Sequence, residues 1–291
     1  MDGYTALHET AAWIDLSTRG KIRVTGKDRV RFLHNILSND VKGLAPGQSN
    51  YHFLLNAQGR IQADANLFVF PDWMLLDCEP ETTERILQHL KRYIIADKVE
   101  LEDASATLAT IAVEGPKAEE LAGGEDGAVR GSATGQPGVW LLVETAQRAG
   151  VIARLERAGA VPASAEDARV VRVENGIPRY GEDFGETTLP QETQQMRALT
   201  FTKGCYLGQE IVERIRARGQ VNKLLVRVGI DGASPPAAGS PVIAGGQEIG
   251  RLTSPVYSPR LGHSLGLSIL RRESAAEGSA IEVAGRPGRV I

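Results

Sequence analysis

Between Lys21 and Glu102 the apolar residues switch repeatedly between a period of two and a period near 3.6, and this restricts the fold more than any other feature. Residues 21–24 read as a short strand. Thr25-Gly26 then opens a helix over about 27–38 that carries Val30, Leu33, Ile36 and Leu37 on one face. Extended segments follow near 50–56, 60–70 and 73–78, joined at Ala57-Gln58-Gly59 and at Pro71-Asp72. Pro80-Glu81 begins a second helix with Ile86, Leu87, Leu90 and Ile94 turned inward, and Val99-Glu100-Leu101-Glu102 alternates again. Strand, helix, strands, helix, strand is the order of a split βαβ or ferredoxin-like unit.

A looser version of that order follows. Leu108 to Val113 and Val139 to Glu144 read as strands, with a short helix from Gly115-Pro116 to about Leu121 and another over 146–158. Gly123 to Gly138, rich in glycine and small residues, reads as a surface loop. Ser164-Ala165-Glu166-Asp167 resembles a capping box that opens a helix ending at Asn175-Gly176. Beyond Gly219 short β runs alternate with Gly and Pro, at 224–230, 241–244, 248–254, 264–270 and 280–283, which predicts a small antiparallel barrel. The expected class is α+β, with units at 1–103, 104–219 and 220–291.

The 291 residues leave room for two or three domains and a substantial core. A formal net charge of −3 gives no global basic footprint, so direct nucleic-acid binding is not expected. No apolar run approaches the roughly 20 residues of a membrane span, and the start Met1-Asp2-Gly3-Tyr4 lacks the basic and apolar regions of a signal peptide. The expected location is the cytoplasm. The two cysteines, Cys78 and Cys205, form no disulfide framework and fit a reducing compartment. A cluster held by one chain needs about four thiolates or a mixture with histidines. The five histidines show no metal-type spacing with either cysteine, so no resident metal is expected.

Lys203-Gly204-Cys205-Tyr206-Leu207-Gly208-Gln209-Glu210 crowds a thiol, an ammonium, an amide and a carboxylate into one short stretch. Gly204 and Gly208 allow backbone conformations or close approaches that a side chain would block. Lys203 and a nearby helix amino-terminus would each favour the thiolate; the bland alternative is a buried free cysteine that packs as a small hydrophobe. The segment resembles the K-G-C-[FY]-x-G-Q-E signature of the YgfZ family, folate-binding relatives of the glycine-cleavage T-protein (aminomethyltransferase). The likeness extends to Lys21–Asp28, Phe32-Leu33, Ser38-Asn39-Asp40-Val41, Glu174–Pro178 and Leu189-Pro190-Gln191-Glu192. It implies two α+β units joined by a barrel around a central opening that holds folate. It also implies a part in making or maintaining iron–sulfur proteins, including enzymes that modify tRNA.

Cys205 is the first candidate for the functional centre, as a nucleophile, a partner in disulfide exchange or a single metal ligand. Lys203 either lowers the pKa of that thiol, pairs with a ligand carboxylate or is a solvated lysine. Gln209 and Glu210 offer donors and acceptors to a pterin-like edge, or Glu210 simply complements a helix dipole. Arg214 and Arg218 lie four apart on a helix over about 209–218 and suit the glutamate tail of folate, or form an exposed polar face. T-protein relatives carry a paired Asp-Asp after Gly-Gly-Ile; here Gly59-Arg60-Ile61-Gln62-Ala63-Asp64 keeps the second acidic position and has Ala63 at the first. That departure counts against ordinary aminomethyl transfer, while Asp64 remains able to bind a pterin. Glu182, Asp183, Gln191 and Glu192 are pocket candidates by family position. Tyr51 either stacks on a flat ligand or belongs to the core, and Cys78 reads as packing. Gly245-Gly246 and Gly123-Gly124 lack the strand–loop–helix setting of a phosphate cradle.

Three functions follow. The leading expectation is a tetrahydrofolate-binding accessory protein that supports iron–sulfur client or assembly proteins through Cys205. The alternative is a folate-dependent aminomethyl or demethylation transferase, and the third is a folate-free adaptor.

Overall fold

The computed structural model describes residues 1–125 and 127–291, with Arg218 described through its backbone alone. The chain opens with α1 (Gly3–Glu9), capped by the Asp2 carboxylate on Thr5 N–H, and continues through β1 (Ala12–Asp15) and β2 (Gly20–Thr25). Next come α2 (Arg29–Ile36), β3 (Ser49–Leu55), β4 (Ile61–Val69), β5 (Met74–Cys78), α3 (Thr83–Tyr93) and β6 (Glu100–Asp103). Apart from β1, the strands form a sheet of order β3-β4-β5-β2-β6. One face carries Ile22, Val24, Leu54, Ala63, Ala65, Leu67 and Leu76 against Phe32, Leu33 and Ile36 of α2 and Ile86, Leu87 and Leu90 of α3. Successive strand residues point to opposite faces, so Asp64 lies on the other side, directly across from Phe53 of β3.

The second unit comprises β7 (Leu108–Glu114), α4 (Ala118–Ala122), β8 (Ala128–Arg130), β9 (Gly138–Glu144), α5 (Arg148–Ala158) and β10 (Val161–Pro162). Its sheet has the order β10-β1-β7-β9-β8, so the early strand β1 completes the second sheet rather than the first. The region read as a surface loop contains β8, and the buried carboxylate of Glu114 organises the turn beyond it. That carboxylate accepts from Ser132 Oγ, Ala133 N, Thr134 N and Trp140 Nε1. The following α6 (Ala165–Glu174) has the expected capping box, both arms of which form between Ser164 and Asp167.

After α7 (Gln209–Arg218) the chain runs through β11 (Lys223–Ile230), β12 (Pro241–Ala244), β13 (Gln247–Arg251), β14 (Val256–Ser258), β15 (His263–Arg271), β16 (Ala280–Val283) and β17 (Arg286–Val290). These form a seven-stranded antiparallel sheet of order β13-β12-β16-β17-β11-β15-β14. The expected closed barrel is therefore an open, curled sheet: β13 and β14 are edges, and the return toward β15 is a lone bridge from Leu252 to Ser268. Among the described residues no helix is long and apolar enough to cross a membrane.

Candidate functional site

Asp64 is buried at 8% exposure, and desolvation raises its pKa to about 6. Tyr51 O–H donates to its Oδ2 at 2.6 Å, while Oδ1 is buried with no hydrogen-bond partner. Buried carboxylate oxygens are ordinarily satisfied, so an orphan oxygen on a sheet face points to a missing donor. The surroundings are aromatic: Tyr51 meets Phe53 edge-on at 5.4 Å, and Phe53 meets Phe184 at 5.9 Å. Arg197 lies over the Tyr51 ring at 4.9 Å. Farther along the same sheet face Arg19 bridges Asp77 and Glu79, and Arg179 also reaches Glu79 at 2.7 Å. Burial alone would lower the Arg19 pKa, but the two carboxylates outweigh it and raise it.

Ala63 is packed among the apolar residues beneath α2 and α3. A carboxylate at position 63 would thus face the helices, not the side of the sheet that holds Asp64. The alanine removes no group from beside Asp64, and the sequence argument against transfer chemistry loses its geometric basis.

The signature segment wraps the β3 edge of the first sheet. Lys203 directs its ammonium to three main-chain carbonyls at the end of α2, those of His34, Leu37 and Asn39, the last at 2.8 Å. The His34 ring returns the contact: Val41 N–H donates to Nδ1 at 3.4 Å, and Nε2 donates to Lys203 O at 3.0 Å. Burial pulls the Lys203 pKa down to about 7, against the pull of the nearby Asp40 carboxylate, which favours the charged form. Ser38 and Asn39 tie down the same region. Ser38 Oγ donates to Ala198 O at 2.6 Å and accepts from Phe53 N, and Asn39 Nδ2 donates to Arg197 O at 2.8 Å.

Two residues beyond Lys203 the chain turns outward, and Cys205 is exposed. It lines a groove of about 630 Å³ with Phe32 and Ile36 of α2, Tyr93 at the end of α3, Asp97 and the segment through Glu210. This groove is on the helical side of the sheet, opposite Asp64. Cys78, by contrast, is fully buried, and desolvation pushes its pKa up to about 12, which matches its reading as a packing residue.

The candidates therefore divide among places rather than converging on one central opening. Asp64 and Tyr51 are paired at the first; Cys205, Gln209 and Glu210 line the second. Gln209 Oε1 accepts locally from Tyr206 N at 3.2 Å, and the exposed Glu210 pairs with Arg214 at 2.7 Å. The Arg218 side chain lies outside the described residues. Glu182 is occupied by ion pairs with Arg169 and Arg172, and Asp183 accepts from Arg172, Arg179 N, Thr253 and Ser254. Through Thr253 and Ser254, Asp183 joins α6 to the carboxy-terminal sheet, whereas Glu182 pairs with α6 alone. Glu192 Oε2 caps Leu189 N–H at 2.8 Å. Gln191 Nε2 donates to Val212 O at 2.9 Å, and its buried Oε1 has no partner. Sequence reasoning missed Arg19, Asp77 and Glu79; the alternation Asp77-Cys78-Glu79 at the end of β5 and just beyond it is the available signal. Among the described residues no group of three or more His, Cys, Asp or Glu side chains is placed to hold a metal ion.

An α+β core of two sheet-and-helix units, a curled β-sheet behind them and a buried carboxylate on the first sheet define the class. The family model described as the GCVT N-terminal domain matches residues 2–124, and that of the glycine cleavage T-protein C-terminal barrel domain matches residues 223–291. The chain belongs to the glycine cleavage T-protein family. An aminomethyltransferase of Rubrobacter xylanophilus is 29% identical over 93% of this chain and 79% of its own length. A putative chloroplast transferase of Arabidopsis thaliana is 26% identical over 93% of this chain and 67% of its own. The crystal structure of the glycine cleavage system aminomethyltransferase T of Bartonella henselae superposes with a TM-score of 0.89 at 18% identity, covering 99% of this chain and 87% of that one, a likeness of fold.

Proposed function

We propose that the chain is a tetrahydrofolate-dependent one-carbon transferase centred on Asp64. The observation that carries this reading is the buried carboxylate with one oxygen held by Tyr51 and the other unpartnered. The chemistry of a folate derivative matches that environment: its ring N–H groups suit a lone buried acceptor, and its flat ring suits the aromatic neighbours Tyr51 and Phe53. When bound, the folate supplies the nitrogen that takes up the one-carbon unit. Asp64 contributes an oxygen that holds or releases a proton near pH 6. Tyr51 fixes the other oxygen, so the carboxylate keeps one orientation, and the aromatic wall excludes water. Ala63 is no obstacle, because it faces the helices.

The donor is an aminomethyl compound, as the names of the aminomethyltransferase relatives suggest, whose carbon bonds to the folate nitrogen as its bond to the departing amine breaks. Incubation with tetrahydrofolate and a panel of such donors is expected to yield methylene-tetrahydrofolate. Asp64→Asn should lower turnover by about 10²-fold or more, the usual worth of a positioned acid–base group. No turnover by the wild-type protein across the panel overturns the transferase reading.

A second reading rests on a separate observation, the exposed Cys205 in its own groove. In that reading the chain is a YgfZ-type cytoplasmic accessory protein that supports iron–sulfur clients, including tRNA-modifying enzymes, through its thiol. Cys205→Ala should then abolish support of a cluster-dependent enzyme while tetrahydrofolate binding, followed by calorimetry, is retained. Full support by that variant removes the second reading. A chain that binds no tetrahydrofolate would instead be an adaptor.

A further inference from the structure

We infer that Lys203, clasped reciprocally with His34, is a positioning residue that fixes how the Cys205 loop is presented. The inference deepens the reading in which Cys205 acts on a partner, and it assigns Lys203 a different task from tuning a neighbouring thiol. An ammonium has three N–H donors, and here all three are directed to main-chain carbonyls of His34, Leu37 and Asn39. The head group is thereby turned into the body of the first unit and packs over the Tyr206 ring at 4.8 Å. Nothing of its hydrogen-bonding capacity is left to reach outward to a thiolate or to a ligand carboxylate.

The clasp works in both directions across a large separation in sequence. Lys203 Nζ closes the open carbonyl end of α2, and the His34 ring, whose Nδ1 lies 3.4 Å from Val41 N and 3.3 Å from the Asp40 carboxylate, donates from Nε2 back to the Lys203 carbonyl. Side chain and main chain of one residue are thus both anchored. At the far end of the loop Gly208, at φ +82°, sits where an added Cβ would come within 2.6 Å of Asn56 O. Gly204, at φ +92° with open space around it, reverses the chain between the inward Lys203 and the outward Cys205. Two fixed points with a short span between them restrict where the sulfur can go. Flexible presentation would need neither anchor.

The native chain offers a direct test. Cys78 is buried, so a methanethiosulfonate nitroxide should label Cys205 alone in the full-length protein. The expected spectrum is that of a restricted label. In Lys203→Met the rotational correlation time should shorten by roughly threefold or more, on the ps–ns scale that such a label reads. Lys203→Arg, which keeps the cation and several donors, should recover most of the restriction. His34→Leu leaves the carbonyl acceptors in place and deletes the return bond together with the ring's contacts to Val41 N–H and Asp40; it should fall between, and it carries the test if Lys203→Met does not fold. Circular dichroism melts show whether each variant is native. A label as mobile in the wild type as in native Lys203→Met, or in His34→Leu if that variant alone folds, overturns the inference. So does a native Lys203→Arg no more restricted than Lys203→Met. The readout needs neither folate nor a client protein, so failure of the Cys205 function and failure of the clasp are separate results.

Discussion

Asp64 and Tyr51, diagonal neighbours on β4 and β3, share one short hydrogen bond, and that bond leaves the Asp64 Oδ1 atom as a buried acceptor with nothing to accept from. The relationship makes the carboxylate a cost to the fold. Its pKa of about 6 lies above the ordinary value of 3.8 because burial disfavours the charged form.

Stability should therefore respond to pH in a defined direction. The folded state binds the Asp64 proton more tightly than the unfolded chain does, so this group's contribution is fully present below pH 4 and is lost as pH rises through about 6. At pH 8 the deficit is of order 3 kcal/mol. Asp64→Asn should raise the melting temperature at pH 8, and the difference should vanish near pH 3.5. An equal difference at both values would contradict the assignment.

The two cysteines should react as two distinct populations. Under native conditions a colorimetric disulfide reagent is expected to titrate one thiol quickly and the second only after denaturant is added. Exposure of Cys205 and complete burial of Cys78 set that order. Cys205→Ser should remove the fast phase and leave the slow one.

The glycines of the signature should differ in their tolerance of a methyl group. Both hold positive φ, which costs an L-residue about 1–2 kcal/mol. Gly208→Ala adds a clash with Asn56 O, whereas Gly204→Ala meets open space. Urea denaturation should show Gly208→Ala as the more damaging by at least about 1 kcal/mol. Equal losses would mean that the loop packs differently from the arrangement described.

Asp183 should prove to be a structural acid. Its carboxylate serves Arg172, Arg179 N, Thr253 and Ser254, joining α6 to the carboxy-terminal sheet. Asp183→Ala leaves the buried Arg172 with less compensation and should cost about 3–5 kcal/mol. Its effect on tetrahydrofolate binding should track the loss of folded protein. Weakened binding in a fully folded variant would return Asp183 to the pocket.

The sequence made the local elements legible. Val30, Leu33 and Ile36 announce α2 by spacing, Ser164 and Asp167 announce the start of α6, and the turns at Gly59 and Pro71 separate β3, β4 and β5 where expected. Such signals act within a few residues. What stayed hidden is long-range. Nothing near Lys203 says that its ammonium ends on His34, Leu37 and Asn39, and nothing near Ala12 says that its partners are Glu114 and Val161. A run of Gly-punctuated strands does not reveal whether the last edge closes on the first, so the expected barrel emerged as an open sheet. The family likeness named Asp64 and Cys205 as candidates, but their places follow only from the strand register for Asp64 and from the α2 and α3 residues that line the groove of Cys205.

The placement of β1 has a consequence for biosynthesis. Ala12–Asp15 leave the ribosome well before both neighbours in their sheet, Leu108–Glu114 and Val161–Pro162. The first sheet can assemble while this segment waits with Trp13 and Ile14 unpaired, a nascent-chain stage at which its apolar surface is open to non-native association.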